Sequence, residues 1–363
     1  MSDLSIYTQE QLAFCKALPK VELHAHLNGS IRESTIRELA HSQGLSADTL
    51  AFLSKSGTRS LPEAFRLFAV IHTVTTSHAV ITRITREVLE DCANDNIVHL
   101  ELRTTPKARP EHGMTKESYC KAVLLGLEQY RSGPHLAGHG PISMGLILSI
   151  DRRETAAQAQ ETVDLAIKLG QSRVVGIDLS GDPRLGSWAD WLPAFTKARQ
   201  HGLNITLHAA EVYAPAETQQ MLQFQPDRLG HMCCLNPALQ QQLFASGIPV
   251  ELCLSSNLIT ASVNAFPDHH FLPFYQAGHP VVLCTDDQGV FQTSLSKEYA
   301  IAAYAFELSK DDLRALAIRS VQTTFLSAKR KAELAALMQR QQDPKWPPVS
   351  CPTSHCNMIS DGK

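Results

Sequence analysis

The sequence predicts an α/β protein folded as a (β/α)8 TIM barrel, and three observations support this fold class. Short apolar, β-branched segments recur along the chain, and amphipathic helical patterns separate most of them. These segments are nearly continuous in apolar character rather than alternating, which indicates a parallel sheet covered on both faces. Eight such units match a barrel whose core takes about 250 residues. The predicted strands are residues 20–26, 97–103, 142–150, 173–180, 204–210, 227–232, 248–254 and 279–285.

The rest of the chain is predicted to be mostly helical. Residues 31–95 form a helical insertion after the first strand, and residues 294–340 add C-terminal helices outside the barrel. No linker-like or low-complexity segment interrupts residues 1–340, so we expect these residues to form a single barrel domain. Residues 341–363 are rich in proline and are expected to form a flexible tail.

Composition argues against several classes of function. The 363 residues carry a formal net charge of −3, which gives no electrostatic reason to expect binding to nucleic acid or to an acidic membrane. No apolar run approaches the roughly 20 residues of a membrane span, and the N-terminus lacks the pattern of a secretory signal. The nine cysteines include no CxxC pair and indicate reduced thiols. We therefore expect a cytosolic protein, and a monomer, that acts on a small molecule.

Polar residues follow strand after strand, at the point where each strand ends. Barrel active sites lie at the C-terminal ends of the strands, and buried charges there are costly unless they are paired or metal-bound. This distribution therefore predicts an active site at that end of the barrel. The residues concerned are His24, His26, Arg103, Thr104, Thr105, Asp151, Ser180, Gly181, Asp182, His208, Glu211, His231, Ser255, Ser256, Asn257, Asp286 and Asp287.

The histidine pair on the first strand raises the question of a metal site. His24 and His26 are one residue apart, so their side chains point to the same side of an extended chain. With 16 histidines in the sequence, a pair of this kind is expected by chance and is no evidence alone. Likewise, His208 could be a structural histidine, and Asp286–Asp287 could be a turn or a helix cap. Only their joint occurrence at strand ends indicates a shared site.

The residue types in this set are those of metal-assisted hydrolysis. Three histidines and one carboxylate suit a divalent ion such as zinc, which can lower the pKa of a bound water to about 7. A glutamate (Glu211), a further histidine and a second aspartate then remain to protonate a substrate and to orient the nucleophile. Glu211 could also be no more than a helix cap. Taken together, the pattern favours a metal-dependent hydrolase.

Several motifs resemble the adenosine deaminase family of metal-dependent barrel hydrolases. They are HAHLNGS at 24–30, DLSGDP at 178–183, HAAE at 208–211, LGH at 229–231 and TDD at 285–287, and the similarity extends over roughly residues 15 to 340. Further segments are most similar to the branch of the family that acts on N6-methyl-AMP. These are LPKVELHAHLNGSI, ELRTTPK, DRR, ELCLSSN and LCTDDQGVF.

The resemblance implies a ligand set and a mechanism. One zinc ion would be bound by His24, His26, His208 and Asp286. The metal-activated water would attack C6 of a purine and release ammonia or an alkylamine, most simply converting N6-methyl-AMP to IMP and methylamine.

The resemblance also assigns roles to the other polar groups around the purine. Glu211 would protonate purine N1, and His231 would orient or deprotonate the water and stabilise the developing charge. Asp287 would hydrogen-bond the water and the base, and the backbone of Gly181 would reach purine N3. His26 would also face the substrate.

A second group of residues is predicted to bind the ribose and a 5′-phosphate. Thr104, Thr105 and Lys107 lie just past the second strand and offer hydroxyl, backbone N–H and ammonium donors. Asn28 and His72 could complete this predicted ribose-phosphate site, and the resemblance adds Asp151. The alternative is that Thr-Thr-Pro-Lys is only a polar turn.

Three departures from the better-known adenosine deaminases bear on specificity. Ala210, Met232 and Gln288 stand where those enzymes carry Gly, Gly and Pro, so classical adenosine specificity is in doubt. Three other functions stay open at this point. They are deamination of adenosine or 2′-deoxyadenosine, hydrolysis of another cyclic amidine or amide, and zinc-containing binding without catalysis.

Overall fold

Eight parallel strands form the centre of the molecule. The computed structural model describes residues 6–54, 61–133 and 142–341, and its strands pair in chain order, each parallel to the next. A parallel bridge between Ala25 and Asp286 brings the end of the last strand back to the first. The predicted (β/α)8 barrel is therefore confirmed. The strands are β1 (Lys20–His26), β2 (Ile97–Thr104), β3 (Ser143–Asp151), β4 (Val174–Ser180), β5 (Asn204–Ala209), β6 (Arg228–His231), β7 (Val250–Leu252) and β8 (Val281–Leu283).

The apolar character of the strands explains their double burial. In β3, for example, Leu146, Ile147 and Leu148 are consecutive and all fully buried, so both faces of this strand are covered. The last strands are shorter than the sequence predicts. β7 has three residues because the chain enters a helix at Leu254, immediately after the strand. The predicted end of that strand is thus a helical turn at the mouth of the barrel.

Sixteen α-helices occur in the described parts of the chain. Helices α2 to α5 lie between β1 and β2, as the predicted insertion, and α14 to α16 follow β8, as the predicted C-terminal helices. The helices are α1 (Gln9–Ala17), α2 (Glu33–Ser42), α3 (Ala47–Ser54), α4 (Leu61–Val74), α5 (His78–Asn94), α6 (Lys116–Ser132), α7 (Ala156–Leu169), α8 (Trp188–Gln200), α9 (Pro215–Phe224), α10 (Pro237–Ser246), α11 (Leu254–Ile259), α12 (Phe271–Gln276), α13 (Gln288–Phe291), α14 (Leu295–Ala305), α15 (Lys310–Ser320) and α16 (Ala328–Gln341).

Capping boxes start two of the helices that connect the strands. The side chain of Thr115 accepts from the backbone of Ser118 at the start of α6, and Thr155 accepts from Gln158 at the start of α7. In each box the third helical residue bonds back to the cap, which satisfies two backbone donors at once. Thr155 lies four residues after Asp151, the last residue of β3, so this cap fixes the end of the short loop that follows Asp151.

The predicted division of the chain stays a prediction. Gln341 ends α16, and the rest of the tail predicted over 341–363 lies outside the described residues. Within the parts of the chain that the structure describes, none of the helices combines the length and the apolar character that crossing a bilayer requires.

Candidate active site

Four buried side chains converge at the C-terminal end of the barrel. His24 lies on β1, His208 lies on β5, His231 ends β6 and Asp286 follows β8. Their ligand atoms all lie within 4.8 Å of one another, so the group can hold a metal ion. Parallel strands of a barrel end at the same rim. The barrel therefore brings histidines and a carboxylate from separate strand ends together, as the sequence predicted.

His26 reaches the same centre from the next inward position of β1. Its Nε2 lies 3.1 Å from Nε2 of His208 and 3.3 Å from Oδ1 of Asp286. Nε2 of His24 lies 3.0 Å from Nε2 of His208 and 3.6 Å from the same carboxylate oxygen. Two sets of four ligands are thus geometrically available, one with His26 and one with His231.

Two of the histidines are oriented by buried carboxylates. Nδ1 of His24 lies 2.6 Å from Oε2 of Glu251, and Nδ1 of His208 lies 3.0 Å from Oδ1 of Asp178. A carboxylate only accepts hydrogen bonds, so each Nδ1 carries a proton, and each Nε2 is left to offer its lone pair when a cation is bound. Histidines that bind metals in proteins usually have this arrangement.

The resulting donor set fits a small divalent cation. Nε2 of His24 lies 3.0 Å from Nε2 of His208, a spacing that suits two atoms bound to one cation. Bonds of about 2.0–2.1 Å to a tetrahedral zinc ion would separate neighbouring ligand atoms by about 3.3 Å. The spacings among His24, His26, His208 and Asp286 are close to that value. Ser256 Oγ donates to the other oxygen of Asp286 at 2.7 Å and fixes that carboxylate.

Several residues at the site have a backbone conformation in the left-handed region, which sets the direction of their side chains. His231, Met232, Asp286 and Ala210 have φ values of 65°, 57°, 63° and 52°. Such conformations are unfavourable for residues other than glycine and cluster at functional sites. They also bear on two departures from the better-known deaminases, because glycine at positions 210 and 232 relieves backbone strain. Those two differences therefore say less about the substrate than the sequence suggested.

Glu211 lies beside His231 at the rim of the group formed by His24, His26, His208, His231 and Asp286, which we call the metal-binding cluster. Oε2 of Glu211 is 3.7 Å from Nε2 of His231, and the Glu211 side chain is 23% exposed. Burial and the charge of Asp286 raise the pKa of Glu211 to about 6, against the opposing charge of His208. A carboxyl group with this pKa holds a proton in part of the molecules at neutral pH, as a general acid requires.

The pKa values of the two adjacent aspartates are shifted in opposite directions. Burial alone would raise the pKa of Asp286, but the close imidazole of His24 and the other neighbouring histidines hold it well below its usual value. Burial and the negative charge of Asp286 raise the pKa of Asp287 well above its usual value. The anionic form of Asp286 is therefore favoured, which suits a cation, and the protonated form of Asp287, which can donate a hydrogen bond, is favoured more than in an ordinary aspartate.

A second cluster surrounds His72 on the side of β2 and β3. Burial, and then the charges of Lys107, Arg153 and Arg109, lower the pKa of His72 to about 4, so its imidazole is neutral at pH 7. Arg109 donates to the carbonyl of His72 at 3.0 Å, and Arg153 donates to both oxygens of Asp151 at 2.8 and 2.5 Å. Burial and the charges of Arg153 and Arg109 also lower the pKa of Lys107, and Asp151 opposes them. We call these five residues the basic wall.

The remaining predicted contacts lie around these two clusters. Thr104 ends β2, and its hydroxyl bonds the phenol of Tyr119 at 2.7 Å, while Thr105 follows it half-buried. Oδ1 of Asn28 is buried and has no hydrogen-bond partner in the described residues. Gly181 has φ 103°, and a β-carbon there would lie 2.8 Å from Oδ1 of Asp151. The assignment of these residues to substrate contacts stays a prediction.

The sequence did not single out several residues that support the site. Asp178 and Glu251 are carboxylates inside otherwise apolar strands, and that placement is the signal that could have revealed them. Arg109 and Arg153 lie in the KARP and DRR segments just past β2 and β3. Only the barrel brings these two arginines together around His72.

Comparisons with known proteins agree with this geometry. A family model described as adenosine deaminase matches residues 19–341. The N6-mAMP deaminase of Arabidopsis thaliana is 47% identical over 344 residues, which cover 89% of this chain and 97% of that protein. The N6-methyl-AMP deaminase of Bos taurus is 38% identical, over 88% of this chain and 93% of its own length. A crystal structure of Arabidopsis ADAL complexed with IMP superposes with a TM-score of 0.85 at 47% identity, covering 90% of this chain and 97% of that chain. A complex of the same plant protein with GMP has the same TM-score at 46% identity and covers 90% of this chain and 98% of that chain.

Proposed function

This chain belongs to the adenosine deaminase family, and on that premise we propose that it is a zinc-dependent hydrolase that converts N6-methyl-AMP and water to IMP and methylamine. One observation carries the choice of a nucleotide. The metal-binding cluster and the basic wall lie at the same end of the barrel, the first at the ends of β1, β5, β6 and β8, and the second at or just past the ends of β2 and β3 and on α4. A nucleoside needs no cations near its ribose, whereas a 5′-phosphate brings about two negative charges that must be compensated.

The metal site is proposed to hold one zinc ion through His24, His26, His208 and Asp286. A set of three imidazole nitrogens and one carboxylate suits four-coordinate zinc. Magnesium and calcium prefer ligand sets made only of oxygen atoms. When bound, zinc acts as a Lewis acid that makes a water molecule nucleophilic at neutral pH.

Glu211 is the proposed proton donor to purine N1. Its raised pKa supports this role, because the carboxyl group can hold the proton at neutral pH and release it to the ring. A proton at N1 makes C6 electrophilic, so the acid and the nucleophile act on the same amidine. The attacking water balances the protons: one of its two protons leaves with the methylamine, and the other restores the proton of Glu211.

The other polar groups are proposed to orient the base. Burial and the neighbouring Asp286 favour the protonated form of Asp287, which can donate a hydrogen bond to a purine nitrogen or to the attacking water. The backbone N–H of Gly181 would bond purine N3. His26 and His231 would flank the water, with His231 stabilising the charge that develops at C6.

The basic wall is proposed to bind the ribose phosphate. Lys107 would pair with the phosphate, and Thr104, Thr105, Asn28 and His72 would supply neutral hydrogen bonds. Asp151 is paired with Arg153, so this carboxylate is compensated and need not repel the phosphate. It can then accept a ribose hydroxyl.

A panel of substrates tests the proposal. We expect kcat/KM to be highest for N6-methyl-AMP, lower for AMP, and lowest for adenosine and 2′-deoxyadenosine. Adenosine as the best substrate would favour the nucleoside deaminase instead and remove the phosphate site. No turnover of any 6-substituted purine by the zinc-loaded protein would overturn the activity itself.

We also propose that the active unit is a cytosolic monomer. Every side chain named above comes from one chain. The cysteines within the described ranges, seven in number, are all free, which is typical of a reducing compartment. Sedimentation velocity at micromolar concentration tests the oligomeric state, and a dimer would contradict it.

A further inference from the structure

We propose that Asn257 and His269 are positioning residues that hold His231 as the tautomer with its proton on Nε2, the nitrogen facing the metal-binding cluster. His231 would then present a hydrogen-bond donor to the reaction rather than a free lone pair. The inference deepens the proposed function and rests on it for the catalytic consequence, whereas the tautomer itself can be measured without substrate.

A backbone N–H can only donate a hydrogen bond, and one such group fixes the tautomer of His269. The amide of Phe271 donates to Nδ1 of His269 at 3.0 Å. A nitrogen that accepts a hydrogen bond carries no proton, so His269 is neutral with its proton on Nε2. Nε2 of His269 lies 3.1 Å from Oδ1 of Asn257, and this contact is therefore a donation from the histidine to the amide oxygen.

This donation fixes which way the Asn257 amide faces. Oxygen and nitrogen of an Asn side chain are usually assigned from the surrounding hydrogen bonds, and here the backbone of Phe271 determines them through His269. Nδ2 of Asn257 then faces Nδ1 of His231 at 3.1 Å and donates to it. Nδ1 of His231 is the acceptor, so the single proton of the neutral ring is on Nε2.

Burial makes the reverse orientation costly. Asn257, His269 and His231 are each 1% exposed, so water cannot replace a mismatched partner. Turning the amide around would set its NH2 group against the Nε2–H of His269, with two donors facing each other. The same segment also fixes the backbone of His231, because His270 stacks on His269 and donates from its own Nε2 to the His231 carbonyl at 2.5 Å.

The metal-ligand histidines show the opposite arrangement. A carboxylate accepts from Nδ1 of His24 and another from Nδ1 of His208, which leaves lone pairs at Nε2 for a cation. His231 has an amide donor at Nδ1 instead, so its Nε2 carries the proton and is not a ligand. That Nε2 is buried and has no hydrogen-bond partner among the residues that the structure describes. It is therefore free to donate to an oxygen at the reaction centre.

The experiment is ¹⁵N NMR of the histidine rings in the zinc-loaded protein, compared with Asn257→Asp. Signals of His231 are identified by their loss in His231→Gln. We expect a pyrrole-type Nε2 and a pyridine-type Nδ1 for His231 in the wild type. In Asn257→Asp the carboxylate only accepts, so the proton should move to Nδ1 and the two signals should exchange. The kcat for N6-methyl-AMP should fall about 100-fold or more in this variant, with KM changing less.

A second pair of variants tests His269. Gln at this position keeps an N–H donor toward Asn257, and Leu removes it, so His269→Gln should retain clearly more kcat than His269→Leu. His279→Gln is the matched control. His279 is a buried histidine just before β8, at the opposite end of the barrel from the metal-binding cluster, and its Nε2 bonds the Ile248 carbonyl. Its kcat should equal that of the wild type.

A protonated Nδ1 on His231 in the wild-type protein would overturn the proposal, whether or not the variants fold. Equal loss of kcat in His269→Gln and His269→Leu would overturn the role of His269. Absence of purine deamination by the wild type would contradict the proposed function and leave the NMR assignment intact, so the two failures are distinguishable.

Discussion

Glu251 and His24 are joined by a hydrogen bond of 2.6 Å between Oε2 and Nδ1, and neither side chain is exposed to solvent. The same carboxylate also accepts from Arg103 at 2.7 Å, from Arg228 at 2.6 Å and from Thr206 at 2.9 Å. One buried anion therefore orients a metal-ligand histidine and compensates two guanidinium groups. Stability of the barrel and affinity for the metal are consequently linked through Glu251.

We predict that Glu251→Gln weakens both properties. Loss of the carboxylate partner of a ligand histidine typically lowers metal affinity 10–100-fold. Removing one partner of a buried ion pair typically costs about 3–5 kcal/mol. Chelator competition would measure the zinc dissociation constant, and urea unfolding at fixed zinc would measure the stability. Glu298→Gln is the control, because Glu298 is also a fully buried carboxylate but bonds Ser255 and Thr293 rather than a ligand histidine. Unchanged zinc affinity in Glu251→Gln would refute the link.

The proton donor can be separated from the metal by Glu211→Gln. Glutamine keeps the size of the side chain but cannot deliver a proton to purine N1, and a general acid is typically worth 10²–10⁴-fold in rate. We expect kcat to fall by that amount while elemental analysis still finds one zinc per chain. Wild-type turnover in the zinc-loaded variant would exclude Glu211 as the acid.

The two geometrically available ligand sets predict different metal contents. If His231 donates from Nε2, then His231→Ala keeps its zinc and loses activity, whereas His26→Ala and His208→Ala lose zinc. The three variants should be dialysed against the same chelator and analysed together for metal. Loss of zinc in His231→Ala with full retention in His26→Ala would favour the set that contains His231.

The sequence located all eight strands, although it placed the ends of the last two too late, and it did not predict the contacts made between the strand ends. Runs such as 142–150 are apolar on both faces, which specifies a covered parallel strand without reference to any other residue. Asn257 stood among the predicted strand-end residues without a role. Its partner His269 lies on a loop 12 positions later, and its target His231 ends a different strand. Such contacts depend on how separate elements meet, and no local pattern encodes them.

The sequence predicted only some residues of the basic wall, because the others meet only in the folded barrel. Lys107 was identified from its place just past β2, whereas Arg109 and Arg153 were not, because each looks like an ordinary exposed arginine in the sequence. Their relation to His72 exists only after the insertion helix α4 packs beside the strand ends.

Lys107→Ala should distinguish nucleotides from nucleosides. A charge-assisted hydrogen bond contributes roughly 1.5–3 kcal/mol, so kcat/KM for N6-methyl-AMP and for AMP should fall about tenfold or more. The value for adenosine should change little. Lys168→Ala serves as the control, since Lys168 is 65% exposed and pairs with Glu117 on the outside of the barrel. An equal loss on all three substrates would mean that Lys107 supports the fold rather than the phosphate.

The stability of the protein should depend on pH through Glu298. Burial raises the pKa of this carboxyl to about 7 from an ordinary value of 4.5, against the opposing hydrogen bonds from Ser255 and Thr293. Between these two values the native state keeps the proton and the unfolded state has released it. Stability therefore falls as pH rises from about 4.5 to 7 and is unaffected by this group outside that window.

Glu298→Gln removes the titration and keeps an oxygen that can accept from Thr293. The free energy of unfolding of the variant relative to the wild type should therefore increase between pH 5 and pH 8, by up to about 3 kcal/mol for a shift of this size. Urea unfolding of both proteins at the two pH values measures the difference, and contributions from the other titrating groups cancel in the comparison. Glu333→Gln, which changes an exposed carboxylate on α16, should show no such change. A difference between Glu298→Gln and the wild type that is the same at both pH values would show that Glu298 is already ionised in the native protein at pH 5.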